Sequence, residues 1–170
     1  RFVAFNASHD IGIKVMSDEE KIALVNRLSK YGRVYISSEG PVPDELKDKL
    51  LKTPYHLIHH VLAFAQLVFS EGATIASEAA VLGVHALYVN TIQSGSTREQ
   101  NERYGLLYCF HDPDERFRQA ADKAVELLET PHLVEMGQAK RRKLLEEKVD
   151  INGYFMQEMD RLAKVGRKGK

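Results

Sequence analysis

The apolar positions of this chain fall into two alternating patterns. Short continuous runs occur at "RFVAF" (1–5), "RVYIS" (33–37), "LVFS" (67–70), "HALYVN" (85–90) and "LLYCF" (106–110), and each reads as a strand. The stretches between them carry apolar residues at helical spacing. Ser17 with Glu20 forms a capping box, and a helix is expected to run from there to about Tyr31, with Ile22, Val25 and Leu28 on one face and Gly32 as its stop. A second helix is expected over 74–82, ended by Gly83. Asp112-Pro113-Asp114-Glu115 reads as cap, first-position proline and acidic first turn of another, whose stripe is Phe117, Ala120, Ala121, Ala124 and Leu128. Thr130-Pro131 opens one more, and a last amphipathic helix carries Ile151, Tyr154, Phe155, Met159 and Leu162. "YHLIHH" (55–60) fits a short strand or the start of a helix, and "SEGPVPDELKDKLLK" fits a turn and a short helix. "TIQSGSTREQ" reads as a Gly/Ser loop, with a helix beginning in "EQNERY".

Strands that are apolar on both faces and separated by helices belong to a parallel sheet covered on both sides. The expected architecture is α/β, a Rossmann-like three-layer sandwich with a mostly parallel sheet of about six strands and helices on both faces. It is expected to occupy 1–165 as one domain, with 166–170 as a flexible tail.

Composition narrows the functional classes. A chain of 170 residues fits one domain that needs no disulfide staples. Lys+Arg and Asp+Glu both number 24, so no net basic charge argues for nucleic acid. The single Cys109 lies in an apolar run, which fits a reducing compartment, and no apolar stretch has the length of a membrane helix. A cytoplasmic location is therefore expected. The chain opens on Arg1 inside a strand-like run, so an upstream portion, and with it a larger protein, is also expected.

Ligands of open α/β sheets sit beyond the carboxyl ends of the strands. The informative stretch there is "SEGATIASEAAVLG" (70–83). Gly72 allows a tight turn and close approach, and the amides of Gly72, Ala73 and Thr74 would be donors at a helix N-terminus, suited to a phosphate. Glu71 would repel a phosphate if it pointed inward, so it is expected to point away or to hold a loop. Glu78, one turn deeper, could accept hydrogen bonds from two adjacent sugar hydroxyls. The plain alternative is that Gly72 is only a turn and Glu78 pairs with a basic neighbour. The spacing of "HLIHH" could present His56, His59 or His60 to a metal, but no further ligand is placed beside them, and no metal is expected. Arg98 could offset diphosphate charge, while "QSGST" (93–97) is either a sugar-side loop or a plain connector.

"SEGATIASEAAVLGVHALYVN" resembles the donor-binding signature of the carboxyl-terminal domain of GT-B glycosyltransferases. It is similar to that element of the peptidoglycan lipid-intermediate N-acetylglucosaminyltransferase and, more distantly, of UDP-N-acetylglucosamine 2-epimerase. Together with "RFVAFNASHD" it resembles, more closely, the domain-of-unknown-function family 354 of predicted glycosyltransferases. The resemblance covers the chain to about Glu129. It implies that the amides of Gly72, Ala73 and Thr74 face a donor diphosphate and that Glu78 holds the ribose. It also implies that Glu99 and Gln100 contact the donor sugar, although the peptidoglycan enzyme has two glutamines there. Ser8 and His9 occupy the place of that enzyme's glycine-rich first loop, and Ser8 is expected beside the diphosphate. Tyr55, Ile58 and His59 lie where the base docks. His85 stands where relatives commonly have proline, and it reads as packing variation.

The resemblance implies the nucleotide-sugar-binding half of a glycosyltransferase, with a UDP-sugar favoured as substrate and no required cofactor. The acceptor domain and the catalytic base would lie on a missing amino-terminal partner domain, and this half alone is expected to be inactive. Two alternatives stay open: a sugar-nucleotide epimerase or hydrolase of the same architecture, or a non-catalytic binding domain that keeps only the fold.

Overall fold

The computed structural model describes residues 1–2 and 14–168. Ser8 and His9 therefore lie outside the described residues, as does most of the "RFVAF" run. Three parallel strands, β1 (Leu67–Ser70), β2 (His85–Val89) and β3 (Leu107–Phe110), pair in the order β1-β2-β3. The register sets Leu67 beside His85 and Ala86 beside Leu107. All five residues of β2 are buried, as a central strand covered on both faces requires.

Among the described residues the expected sheet of about six strands is a sheet of three. Beyond β1 the described residues make isolated parallel bridges, Phe2 with Ser38 and Ile36 with Leu50. The expected strand 33–37 shrinks to a single bridging residue on its outer side. The reason is local: a 3₁₀ helix over Asp44–Lys49 delivers only Leu50 to the edge, and Pro54 then leads into the next turn. The nitrogen of Arg1 donates to Phe69 O, and Phe2 N–H donates to Ser37 O, so residues 1–2 lie between the 36–38 segment and β1.

Helices cover both faces. Helix α1 (Asp18–Leu28) starts at the expected capping box: Ser17 Oγ accepts from Glu20 N–H at 3.2 Å and the Glu20 carboxylate accepts from Ser17 N–H at 2.7 Å. It stops at Leu28, earlier than expected. Helix α2 (Ile58–Ala63) follows a 3₁₀ turn over Tyr55–Leu57, which decides the "YHLIHH" ambiguity for helix. Helix α3 (Ala73–Val81) follows β1, and Gly83, at φ 83°, stops it while Val84 N–H bonds back to Ala79 O. Helix α4 (Gly95–Glu99) runs directly into a π-helical turn over Gln100–Tyr104. The expected Gly/Ser loop therefore ends at Ser94, because Thr97 is buried and its hydroxyl bonds back to Ser94 O.

Helix α5 (Arg116–Leu128) begins one turn later than expected, since Asp112 Oδ1 caps a tight turn by accepting from the amides of Asp114 and Glu115. Helix α6 (Leu133–Glu147) and helix α7 (Ile151–Lys168) complete the chain. The apolar stripe of α7, including Tyr154, Phe155, Met159 and Leu162, is exposed. One core gathers Leu24 and Val25 with Phe117, Ala120 and Ala124, and the other gathers Ala76, Ala79 and Ala80 with Leu106 and Leu144. They are the two outer interfaces of a three-layer α/β sandwich.

Candidate functional site

The three strands end together. Ser70 closes β1, Asn90 follows β2 and His111 follows β3. Asn90 Nδ2 donates to Glu71 O at 3.0 Å, Asn90 Oδ1 accepts from Ile92 N–H, and His111 Nδ1 lies 2.5 Å from Asn90 O. These contacts knit one polar floor at the carboxyl edge of the sheet. Asn90, His111 and Ser70 were not singled out from the sequence. The signal was available, since each is a polar residue that ends or directly follows an apolar strand run.

Ser70 shapes the turn into α3. Its hydroxyl donates to Gly72 O at 2.8 Å and accepts from Gly72 N–H at 3.0 Å. The Gly72 amide, expected as a diphosphate donor, is therefore satisfied inside the turn. Among the described residues no acceptor faces the amides of Ala73 and Thr74, and Thr74 is exposed. The first turn of α3 thus retains outward donors together with the positive end of its dipole.

Glu71 takes the loop-holding role. It is 1% exposed, and its carboxylate accepts Met16 N–H at 2.8 Å. Its own N–H donates to Arg1 O at 3.2 Å. The carboxylate binds the chain just ahead of α1 and interacts electrostatically with the amino terminus at Arg1.

Glu78 lies farther along α3, about a third exposed. Its Oε2 is 3.3 Å from His59 Nε2 on α2, an imidazole that is mostly in solvent. The expected ribose acid and one expected base-edge residue are thus neighbours. Tyr55, at 87% exposure, and Ile58, half-buried, lie beside His59 along the same segment. On the other flank Gln100 is buried in the π-helical turn and donates from Nε2 to Ser77 O at 3.4 Å. Its Oε1 is buried without a partner among the described residues. A π-helical turn is rare overall and frequent at functional sites.

Glu99 is placed differently. Both its carboxylate oxygens accept Lys148 Nζ at 2.7 Å, and Arg103 NH1 lies 3.6 Å away. The side chain is tied to the end of α6. Arg98 is exposed and, among the described residues, meets no carboxylate. No three of His, Cys, Asp and Glu gather as a metal-binding group among the described residues.

His85 opens β2 fully buried. Lys140 Nζ lies 3.1 Å from its Nε2 and also donates to Gly105 O at 2.8 Å. Burial foremost, then the positive charges of Lys140 and Lys123, pull the imidazole pKa down to about 4. It is a neutral acceptor that seats α6.

No protein-family model matches the chain, and no curated protein matches it. Among solved structures it is similar to the crystal structure of the glycotransferase of kitacinnamycin, with 15% sequence identity and a TM-score of 0.56. The likeness covers 92% of this chain and 41% of that one. The fold is glycosyltransferase-like: an α/β sandwich with a parallel sheet. No helix among the described residues is long and apolar enough to cross a membrane.

Proposed function

We propose that this chain is the donor-binding half of a GT-B glycosyltransferase and holds a nucleoside diphosphate sugar, a UDP-sugar by preference, at the start of α3. The observation that carries the reading is the arrangement along α3. Outward amides of Ala73 and Thr74 stand at its N-terminus, Glu78 follows about one turn on, and His59 lies against Glu78 from one side. On the other side Gln100 reaches Ser77. A diphosphate at the amides gains the helix dipole and two N–H donors. Glu78 then accepts from the ribose hydroxyls, and the exposed Tyr55–His59 segment takes the base. The glycosyltransferase-like fold supports this reading.

The chemistry available to such a half is electrostatic. Donors fixed before reaction would stabilise the charge that develops on the leaving diphosphate. The general base and the acceptor site belong to a second, amino-terminal domain, so this half binds donor without turning it over. Glu99, held by Lys148, fits the sugar end only if that ion pair opens. Gln100, buried and bonded to Ser77 O, would reach the sugar only if its turn opens, so both sugar-end candidates need a local rearrangement.

Two observations favour a second reading, a non-catalytic domain that keeps the fold. The Gly72 amide is capped by Ser70, and Glu78 already has His59 as neighbour. Titration calorimetry with UDP, GDP and their sugar conjugates, on the wild-type chain and on Glu78→Ala, separates the two. Donor binding predicts a saturable heat for at least one nucleotide, weakened by about 1–3 kcal/mol in Glu78→Ala. A folded wild-type chain that binds none of them sinks the donor reading.

A further inference from the structure

Two of the three side chains in the polar floor are satisfied within it. The Ser70 hydroxyl both donates to Gly72 O and accepts Gly72 N–H. The Asn90 side chain donates to Glu71 O at one end and accepts Ile92 N–H at the other. His111 differs. Its Nδ1 lies 2.5 Å from Asn90 O, and a carbonyl can only accept, so Nδ1 carries the hydrogen. In the neutral ring the lone pair is then on Nε2. Among the described residues Nε2 has no hydrogen-bond partner, and it is not sealed in the interior, since His111 is half-buried.

The ring is held in place by more than Asn90. Tyr88 meets it edge-on, with centroids 5.7 Å apart and planes at 75°. The backbone just beyond it is pinned by the buried Arg116, whose guanidinium donates to the carbonyls of Asp112, Pro113 and Lys14. An imidazole fixed in tautomer and orientation, with an open lone pair at the carboxyl end of a parallel strand, is placed to receive a donor from a ligand. Its position says which part of the ligand. The nucleoside end is assigned to the α2 flank of α3, where His59 meets Glu78. The opposite flank, with Gln100 on Ser77, is the side of β3, where the Cys109 thiol donates to Thr97 O at 3.7 Å. In the order β1-β2-β3, His111 stands two strand spacings from Ser70, roughly 10 Å. A sugar on the second phosphate extends that way from a diphosphate at the start of α3.

We propose that His111 Nε2 accepts a hydrogen bond from a hydroxyl of the donor sugar. The proposal rests on the donor-binding reading above and adds the residue that tells a sugar nucleotide from the bare nucleotide. A lone pair repels phosphate oxygens, which are acceptors too, and takes O–H or N–H donors. The ribose hydroxyls go to Glu78 and the base lies on the other flank, so the donors left for His111 are the hydroxyls of the sugar. Unlike Glu99 and Gln100, His111 needs no ion pair or turn to open first.

The test is calorimetry of UDP, UDP-glucose and UDP-N-acetylglucosamine on the wild-type chain and on His111→Asn. The asparagine amide can still donate to Asn90 O as Nδ1 does, but offers nothing in the place of Nε2. The variant is expected to bind UDP as wild type does and to lose affinity for at least one sugar nucleotide by about fivefold, the worth of one hydrogen bond. Long-range proton–nitrogen NMR of the wild-type ring gives a readout that needs no variant. It is expected to show hydrogen on Nδ1, and an Nε2 resonance that moves upfield with the sugar nucleotide and stays in place with UDP. An equal loss for UDP and the sugar nucleotides overturns the proposal, because His111 then only shapes the floor. A ring with its hydrogen on Nε2 overturns it too. A wild-type chain that binds none of the ligands overturns the donor reading and this assignment with it. One that binds them all, with His111→Asn unchanged and Nε2 unmoved, overturns this assignment alone.

Discussion

The carboxylate of Glu71 accepts the amide of Met16 at 2.8 Å, joining the turn after β1 to the residue that precedes the cap of α1. The acid expected to repel a phosphate is thus an internal clamp, 1% exposed, on the chain just ahead of α1. Glu71→Ala leaves the Met16 N–H buried without this acceptor and is expected to cost about 2–3 kcal/mol in urea unfolding. Glu71→Gln retains a carbonyl oxygen and is expected to lose less than half of that. Equal losses in the two variants would mean that charge, rather than the acceptor at Met16, is what matters.

How much of this was legible follows the range of each interaction. The capping box of Ser17 and Glu20 spans one turn, so the pattern alone located it, and the observed bonds have the expected reciprocal form. Strands β1 to β3 announce themselves as buried runs between helices. The 33–37 run is not a named strand because its pairing depends on what lies beside it, and among the described residues only single bridges form there, Ile36 with Leu50 and Ser38 with Phe2. Helix α4 begins at Gly95 because Thr97 is buried and turns its hydroxyl onto Ser94, and a tertiary burial of that kind has no signature in a Gly/Ser string. The candidate site divides in the same way. Its place at the end of β1 is written in a strand-turn-helix order. The His59–Glu78 contact and the Lys148 hold on Glu99 join residues far apart in the chain and had to be seen in space.

The His59–Glu78 contact separates structural from ligand roles. It joins a mostly exposed imidazole to a partly exposed carboxylate, and surface pairs of this kind contribute about 0–1 kcal/mol. His59→Ala is expected to leave the unfolding midpoint within a degree or two. If the Tyr55–His59 segment seats the base, the same variant weakens UDP binding severalfold by calorimetry. A large loss of stability would assign His59 to holding α2 on α3 instead.

At Gly137 helix α6 passes close to the Gly83 turn. A Cβ built there would lie 2.2 Å from Gly83 O and 3.3 Å from His85 Nδ1. The carbonyl is backbone at a left-handed turn and has little room to yield, so α6 must lift away from α3 and β2. Gly137→Ala is expected to destabilise by about 1–3 kcal/mol despite the better helix propensity of alanine. Gly95→Ala, where a Cβ meets nothing within 4 Å, is the matched control and should be neutral or slightly stabilising. A Gly137→Ala chain as stable as wild type in guanidinium unfolding would refute the crossing.

The Lys140–His85 pair gives stability a defined pH dependence. The folded imidazole has its pKa pulled down to about 4, whereas in the unfolded chain it is near 6.5. Between those values the unfolded chain takes up a proton that the folded chain refuses, so stability falls as the pH falls. The contribution is complete above pH 6.5 and is lost progressively toward pH 4, amounting to roughly 2–3 kcal/mol by pH 4.5. His85→Gln can still accept from Lys140 and has no proton to gain. Its urea midpoint is expected to vary less than that of wild type between pH 7.5 and pH 4.5, by about that amount. Parallel pH profiles for the two proteins would show that His85 does not titrate in this window and that the acid sensitivity has another source.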